Sequence, residues 1–218
     1  MLFLFFWGCA SNPSPSEDKV KREAVPDSLR LVLLEKTYHR ILTFDLNKEP
    51  MDSIKVMLTD ESLYWIEEIE NAALNESRDF VEARPFHEIL TIVTFRILER
   101  DKKLRGIYSD RLLHLALGHS GLFSKVNSLE LGEFEIKVDR GMRGLKISPK
   151  VPIIFFEWED NRWKFDLYNT MPLVLRGVET IGIKKEWEPG YTVIYLLEKL
   201  YRRQLNFDID EEFLEPNR

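Results

Sequence analysis

The sequence predicts an α+β domain in which N-terminal helices pack on an antiparallel sheet, with an extra helix at the C-terminal end. Three observations carry this. Apolar residues recur every three or four positions from about residue 28 to 117. They then alternate at every second position, from Leu129 to Leu167. The helical interval returns between Tyr191 and Leu205.

Taken in order, Pro26-Asp27 opens the folded part, with Asp27 as the expected N-cap. Leu31, Leu34, Tyr38, Ile41 and Leu42 mark a helix over about 28–45. Pro50 restarts a shorter helix carrying Ile54, Met57 and Leu58. Thr59-Asp60-Glu61-Ser62 caps another, with Leu63, Trp65, Ile66 and Ile69 inward. Residues 75–84 read as a surface connection. Pro85 starts a helix apolar on several sides (Ile89, Leu90, Ile92, Val93, Phe95, Ile97), as a central helix requires. Ser109 is the expected cap of a further helix, with Leu112, Leu113, Ala116 and Leu117 inward and Gly118 ending it.

In the strand half, Leu129 and Leu131 take odd positions while Phe134, Ile136 and Val138 take even ones. A parity change across Gly132 is the pattern of a β-bulge. Asp139-Arg140-Gly141 is expected to turn the chain into a strand with Leu145 and Ile147. Val151–Trp158, apolar on both faces, reads as a central strand. Glu159-Asp160-Asn161-Arg162 makes a hairpin into Trp163-Lys164-Phe165-Asp166-Leu167. Residues 170–189, broken by Pro172, Gly177, Gly182 and Pro189, read as irregular, and Asp208–Arg218 as a frayed acidic end.

The single cysteine adds an address. Cys9 ends the run Leu2-Phe3-Leu4-Phe5-Phe6-Trp7-Gly8 and precedes Ala10-Ser11-Asn12-Pro13-Ser14-Pro15-Ser16. An apolar stretch, a small residue, cysteine and a polar Ser/Pro segment resemble the bacterial lipoprotein signal, although Phe6 and Trp7 depart from its usual residues. The resemblance implies cleavage before Cys9, lipidation of its thiol, and a palmitate-bearing membrane anchor. It makes residues 1–8 a signal remnant. No basic segment precedes the apolar run, so the start codon is expected upstream. Residues 9–26 then form a tether spanning roughly 25 Å as a flexible coil. Ala10, where Asp would favour the inner membrane, points to the outer membrane facing the periplasm if the source has two membranes.

About 190 residues remain for one domain and an appendage. Hydrophobic residues at 44% and charged residues at 31% suit a stable core. A formal charge of −6 opposes nonspecific nucleic-acid binding. One cysteine leaves no internal disulfide.

Three stretches together resemble the NTF2-like (SnoaL-like) superfamily. They are the opening helix followed by Met57-Leu58-Thr59-Asp60-Glu61-Ser62-Leu63, the bulged strand Gly132-Glu133-Phe134-Glu135-Ile136, and the hairpin Phe155–Leu167. The resemblance covers residues 27–168 and implies helices set against a curved sheet that closes into a cone. Residues 169–218 then form a C-terminal extension, with its helix at about 191–205.

Enzymes of this superfamily place an Asp or His, often with a Tyr, in the cone. By that resemblance the catalytic candidates are Asp166, Tyr168 and His114. The residues themselves offer blander roles. Asp110 and His114 stand at i, i+4 with His119 five later, without a second ligand cluster, so no metal or cofactor is assigned. Gly118-His119-Ser120-Gly121 misses the nucleophile-elbow pattern and reads as a helix end. Arg140, Arg143, Lys146 and Lys150 suit a solvated sheet edge, with an anionic partner as the alternative. The expected function is a noncatalytic binding or assembly module of the cell envelope. The alternatives are a cavity enzyme (isomerase or hydrolase) and a structural subunit that meets an envelope protein through residues 170–205.

Overall fold

In the helical half, apolar spacing sets the elements and local caps set their ends. The computed structural model describes residues 25–46, 48–103, 105–107, 109–119 and 129–217, with only the backbone of Gly118 and His119. Cys9 and its leader lie outside the described residues. Helix α1 (Asp27–Leu42) has Pro26 as N-cap, because the Leu29 and Arg30 amides already bond to the Pro26 carbonyl. Asp27, expected as the cap, sits in the first turn and accepts from Arg30 at 3.4 Å. After the one-turn α2 (Asp52–Lys55), Thr59 caps α3 (Asp60–Asn75), its Oγ1 accepting from the Ser62 amide at 3.2 Å.

Within the expected surface connection lies a short helix, α4 (Arg78–Glu82), because Val81 is fully buried and ties that segment to the core. Helix α5 (Phe86–Arg100) is central, as its all-round apolar character predicts. Helix α6 (Arg111–His114) runs on into a π-turn, Leu115–His119. Its N-cap is Asp110 in the left-handed region (φ 52°), not Ser109.

The strands form a four-stranded antiparallel meander in the order β1 (Leu131–Lys137), β2 (Arg140–Leu145), β3 (Ser148–Glu159), β4 (Arg162–Phe165). Its register shifts between Leu131 and Phe134, where the parity change puts the bulge. Asp160 and Asn161, at φ 50° and 60°, make the tight two-residue hairpin turn. The first turn falls at Val138-Asp139, one residue earlier than expected, because Gly141 is needed in β2 beneath α1. A Cβ at Gly141 would lie 2.6 Å from Leu34 Cδ2. Ile147, expected in the strand, tips the β2–β3 turn and is 87% exposed.

One sheet face is aromatic and the other charged. Tyr38 of α1 meets Phe134 edge-on at 5.3 Å, and Phe156 meets Phe134 at 5.9 Å and Phe165 at 5.2 Å. Leu34, Ile41 and Trp163 complete this packing, and Trp163 Nε1 donates to the Arg30 carbonyl. On the other face Lys137, Arg140, Glu157 and Lys164 stand opposite one another in turn. The basic concentration is therefore divided. Lys146 and Lys150 are exposed and Arg140 pairs with Glu157, but Arg143 lies over Phe134 and Tyr38 and donates to the Gly132 carbonyl at 2.6 Å.

Residues 170–189 are not irregular. An 18-residue helix, α7 (Leu167–Lys184), occupies most of them. It begins where β4 ends: the Asp166 amide donates to Phe155 O, and the Phe155 amide to Thr170 Oγ1. Pro172 removes one amide donor near the helix start, and burial of Leu167, Thr170 and Met171 outweighs that loss. Helix α8 (Pro189–Tyr201) packs against it at Gly182, where a Cβ would lie 2.4 Å from Thr192 Oγ1.

The C-terminal end is docked rather than frayed. A 3-10 turn, Glu211–Leu214, buries Phe213 and Leu214. Arg96, fully buried, donates to the carbonyls of Ala72, Ala73 and Glu76 at the end of α3, and to those of Phe213 and Leu214. Among the described residues, no helix is long and apolar enough to cross a membrane.

Candidate functional site

Away from the sheet, the helices leave a cavity of about 300 Å³. Trp65 and Ile66 of α3 and Leu90, Thr91, Thr94 and Phe95 of α5 form one side. Leu112, Leu113, Leu115 and Ala116, from α6 and its π-turn, form another. Leu167, Met171, Leu175 and Val178 of α7 face Leu196, Leu197, Leu200 and Tyr201 of α8 across it. None of these side chains is charged. The wider helical turn at Leu115 and Ala116 belongs to a class of distortion that recurs at functional sites.

Trp65 is the most firmly held wall residue. Its Nε1 donates to Glu88 Oε1 at 3.2 Å, and Glu88 Oε2 accepts from Arg84 at 2.8 Å. Arg84 also grips both oxygens of Glu76, at 2.8 and 2.7 Å, and that grip holds the Glu76 carboxyl below its ordinary range. His87 stacks on Trp65 with ring centroids 6.2 Å apart. Burial pushes the His87 imidazole below its usual value and raises that of the Tyr201 hydroxyl.

Each of the three catalytic candidates has its own place in the helices. Asp166 is buried and caps α7: Oδ1 accepts from the Asn169 amide at 3.0 Å and Oδ2 from Asn169 Nδ2 at 2.8 Å. Tyr168 stands 37% exposed on the first turn of α7, its amide donating to Ser62 Oγ. His114 ends α6, half-buried. Among the described residues no hydrogen bond joins these three. Asp110 pairs with Lys55 Nζ at 2.5 Å rather than with His114. The side chain of His119, and the rest of the run to Gly121, lie outside the described residues. Among those described, no group of three or more His, Cys, Asp or Glu could hold a metal ion.

Sequence reasoning placed Trp65, Phe95, Leu112 and Leu113 in the helical core but not around a cavity. It missed the α7 wall, whose signal was the spacing Leu167, Met171, Leu175, Val178. Thr94 and Tyr201 carried no separable signal as wall hydroxyls.

No family model matches the chain, and comparison with curated proteins and with solved structures finds no match.

Proposed function

We propose that this chain is a membrane-anchored lipoprotein of the cell envelope. Its NTF2-like domain acts as a noncatalytic binding module, and an apolar ligand occupies the interhelical cavity. The observation that carries the ligand is the wall itself: about 300 Å³ lined mostly by aliphatic and aromatic side chains, with no charged one among the described residues. Apolar cavities take apolar guests. The NTF2-like reading draws support from α1 lying across one face of an antiparallel meander whose first strand is bulged. In this protein that face is filled by Leu34, Tyr38, Phe134, Phe156 and Phe165, and the interhelical cavity is the apolar space offered to a ligand. The noncatalytic reading rests on Asp166, whose two oxygens are engaged by Asn169.

The anchor rests on Cys9 and the residues flanking it. With residues 10–26 as tether, the domain stands at the membrane surface, on the outer membrane facing the periplasm in a two-membrane source. Two measurements test the proposal. Cys9→Ser is expected to abolish palmitate labelling and release the chain from membranes; unchanged fractionation contradicts the anchor. The full chain is expected to bind the neutral probe N-phenyl-1-naphthylamine saturably, one per chain; no saturable binding contradicts the ligand.

A second reading, assembly with an envelope protein through residues 170–205, draws on a different surface. Ile181 (43%), Ile183 (66%) and Tyr191 (48%) are exposed where α7 meets α8, beside Trp187, which packs edge-on to Tyr191 and Tyr195. Loss of co-purifying partner in Ile183→Glu, with probe binding intact, would favour it.

A further inference from the structure

The wall of the cavity changes character with depth. Its floor is closed: Leu113 and Leu115 are each 1% exposed and Phe95 is fully buried. Its rim meets water, with Leu200 46% exposed and Thr94 half-buried. A molecule lying along this gradient keeps hydrocarbon at one end and a solvated group at the other.

The polar atoms along the wall are hydroxyls. That of Thr91 donates to the His87 carbonyl at 2.7 Å. Those of Thr94 and Tyr201 have no hydrogen-bond partner among the described residues. Among the described residues no lysine, arginine or histidine lines the cavity, so an ionised head entering it would lose water without meeting a countercharge from them. An uncharged hydroxyl or carbonyl can bond to Thr94 and Tyr201 instead. A space of about 300 Å³ suits one short chain.

We propose that the cavity binds a single-chain, uncharged amphiphile of the fatty-alcohol or monoacylglycerol class, tail on the floor and hydroxyl at Thr94 and Tyr201. The proposal rests on the reading of the cavity as an apolar-ligand site, and it adds the ligand's class and direction.

The test is competition on the full chain, with N-phenyl-1-naphthylamine bound first and 1-decanol or decanoate added at about pH 8, where decanoate is ionised. 1-Decanol is expected to displace the probe about tenfold more effectively than decanoate. Thr94→Val removes a hydroxyl and keeps the shape of the side chain. It is expected to weaken 1-decanol about two- to tenfold more than it weakens the probe. Probe binding without preference for 1-decanol over decanoate overturns the amphiphile and leaves the apolar-ligand reading standing. The same holds if Thr94→Val leaves 1-decanol unchanged. Failure of the probe itself overturns the underlying reading.

Discussion

Both oxygens of Asp166 hold the first turn of α7, one on the Asn169 amide and one on the Asn169 side chain. A carboxylate so engaged acts as a cap, and asparagine caps a helix about as well. Asp166→Asn keeps the acceptor for the Asn169 amide but loses the one for Asn169 Nδ2, so it is expected to lose about 1 kcal/mol by urea unfolding, and Asp166→Ala about 1–2 kcal/mol. His87 makes a prediction in pH. Burial lowers its imidazole below the ordinary 6.5, against the opposing pull of Glu88 and Glu179. The unfolded chain thus binds this proton more readily than the folded one. Its contribution is fully present above about 6.5 and is lost as pH falls through the folded value. The urea midpoint should fall less between pH 6.5 and about 5 in His87→Gln than in the parent. Glu76, lowered by Arg84, acts with the same sign at more acidic pH.

At the scale of elements, alternation was the most legible signal. The bulge near Gly132 and the Asp160-Asn161 hairpin stand where parity and turn chemistry put them. Helix α7 was hidden because Pro172, Gly177 and Gly182 read as breakers, although each has a place in it. Pro172 lies near the start, and Gly182 lets α8 approach. Gly182→Ala would press a methyl to 2.4 Å from Thr192 Oγ1. The expected loss is about 1–3 kcal/mol by thermal or urea unfolding, partly recovered by adding Thr192→Ala. The docked end was hidden for another reason. Its partner, Arg96, reads as an ordinary charge on an amphipathic helix, and nothing local reveals that five carbonyls converge on it. Burial pushes its guanidinium down to about 10. Arg96→Met should cost about 3 kcal/mol or more. It should also expose residues 208–217 to limited proteolysis in the otherwise folded chain.

For the whole molecule, charge and composition argue against nonspecific nucleic-acid binding and allow a stable core, but they do not say where free volume lies. The α+β class follows from two apolar periods in one chain. The cavity follows from how five helical segments meet, which depends on the shapes of residues such as Trp65, Ala116 and Met171 taken together. At the sheet, Tyr38 and its aromatic neighbours fill the inner face. The most direct measurement is a methyl NMR titration of the full chain with N-phenyl-1-naphthylamine. Saturable shifts in the methyls of Leu113, Leu115 and Leu197, with Leu34 and Ile154 at the sheet unmoved, are the predicted result. Shifts centred on Leu34 and Ile154, or no saturable shift, would contradict a ligand site between the helices.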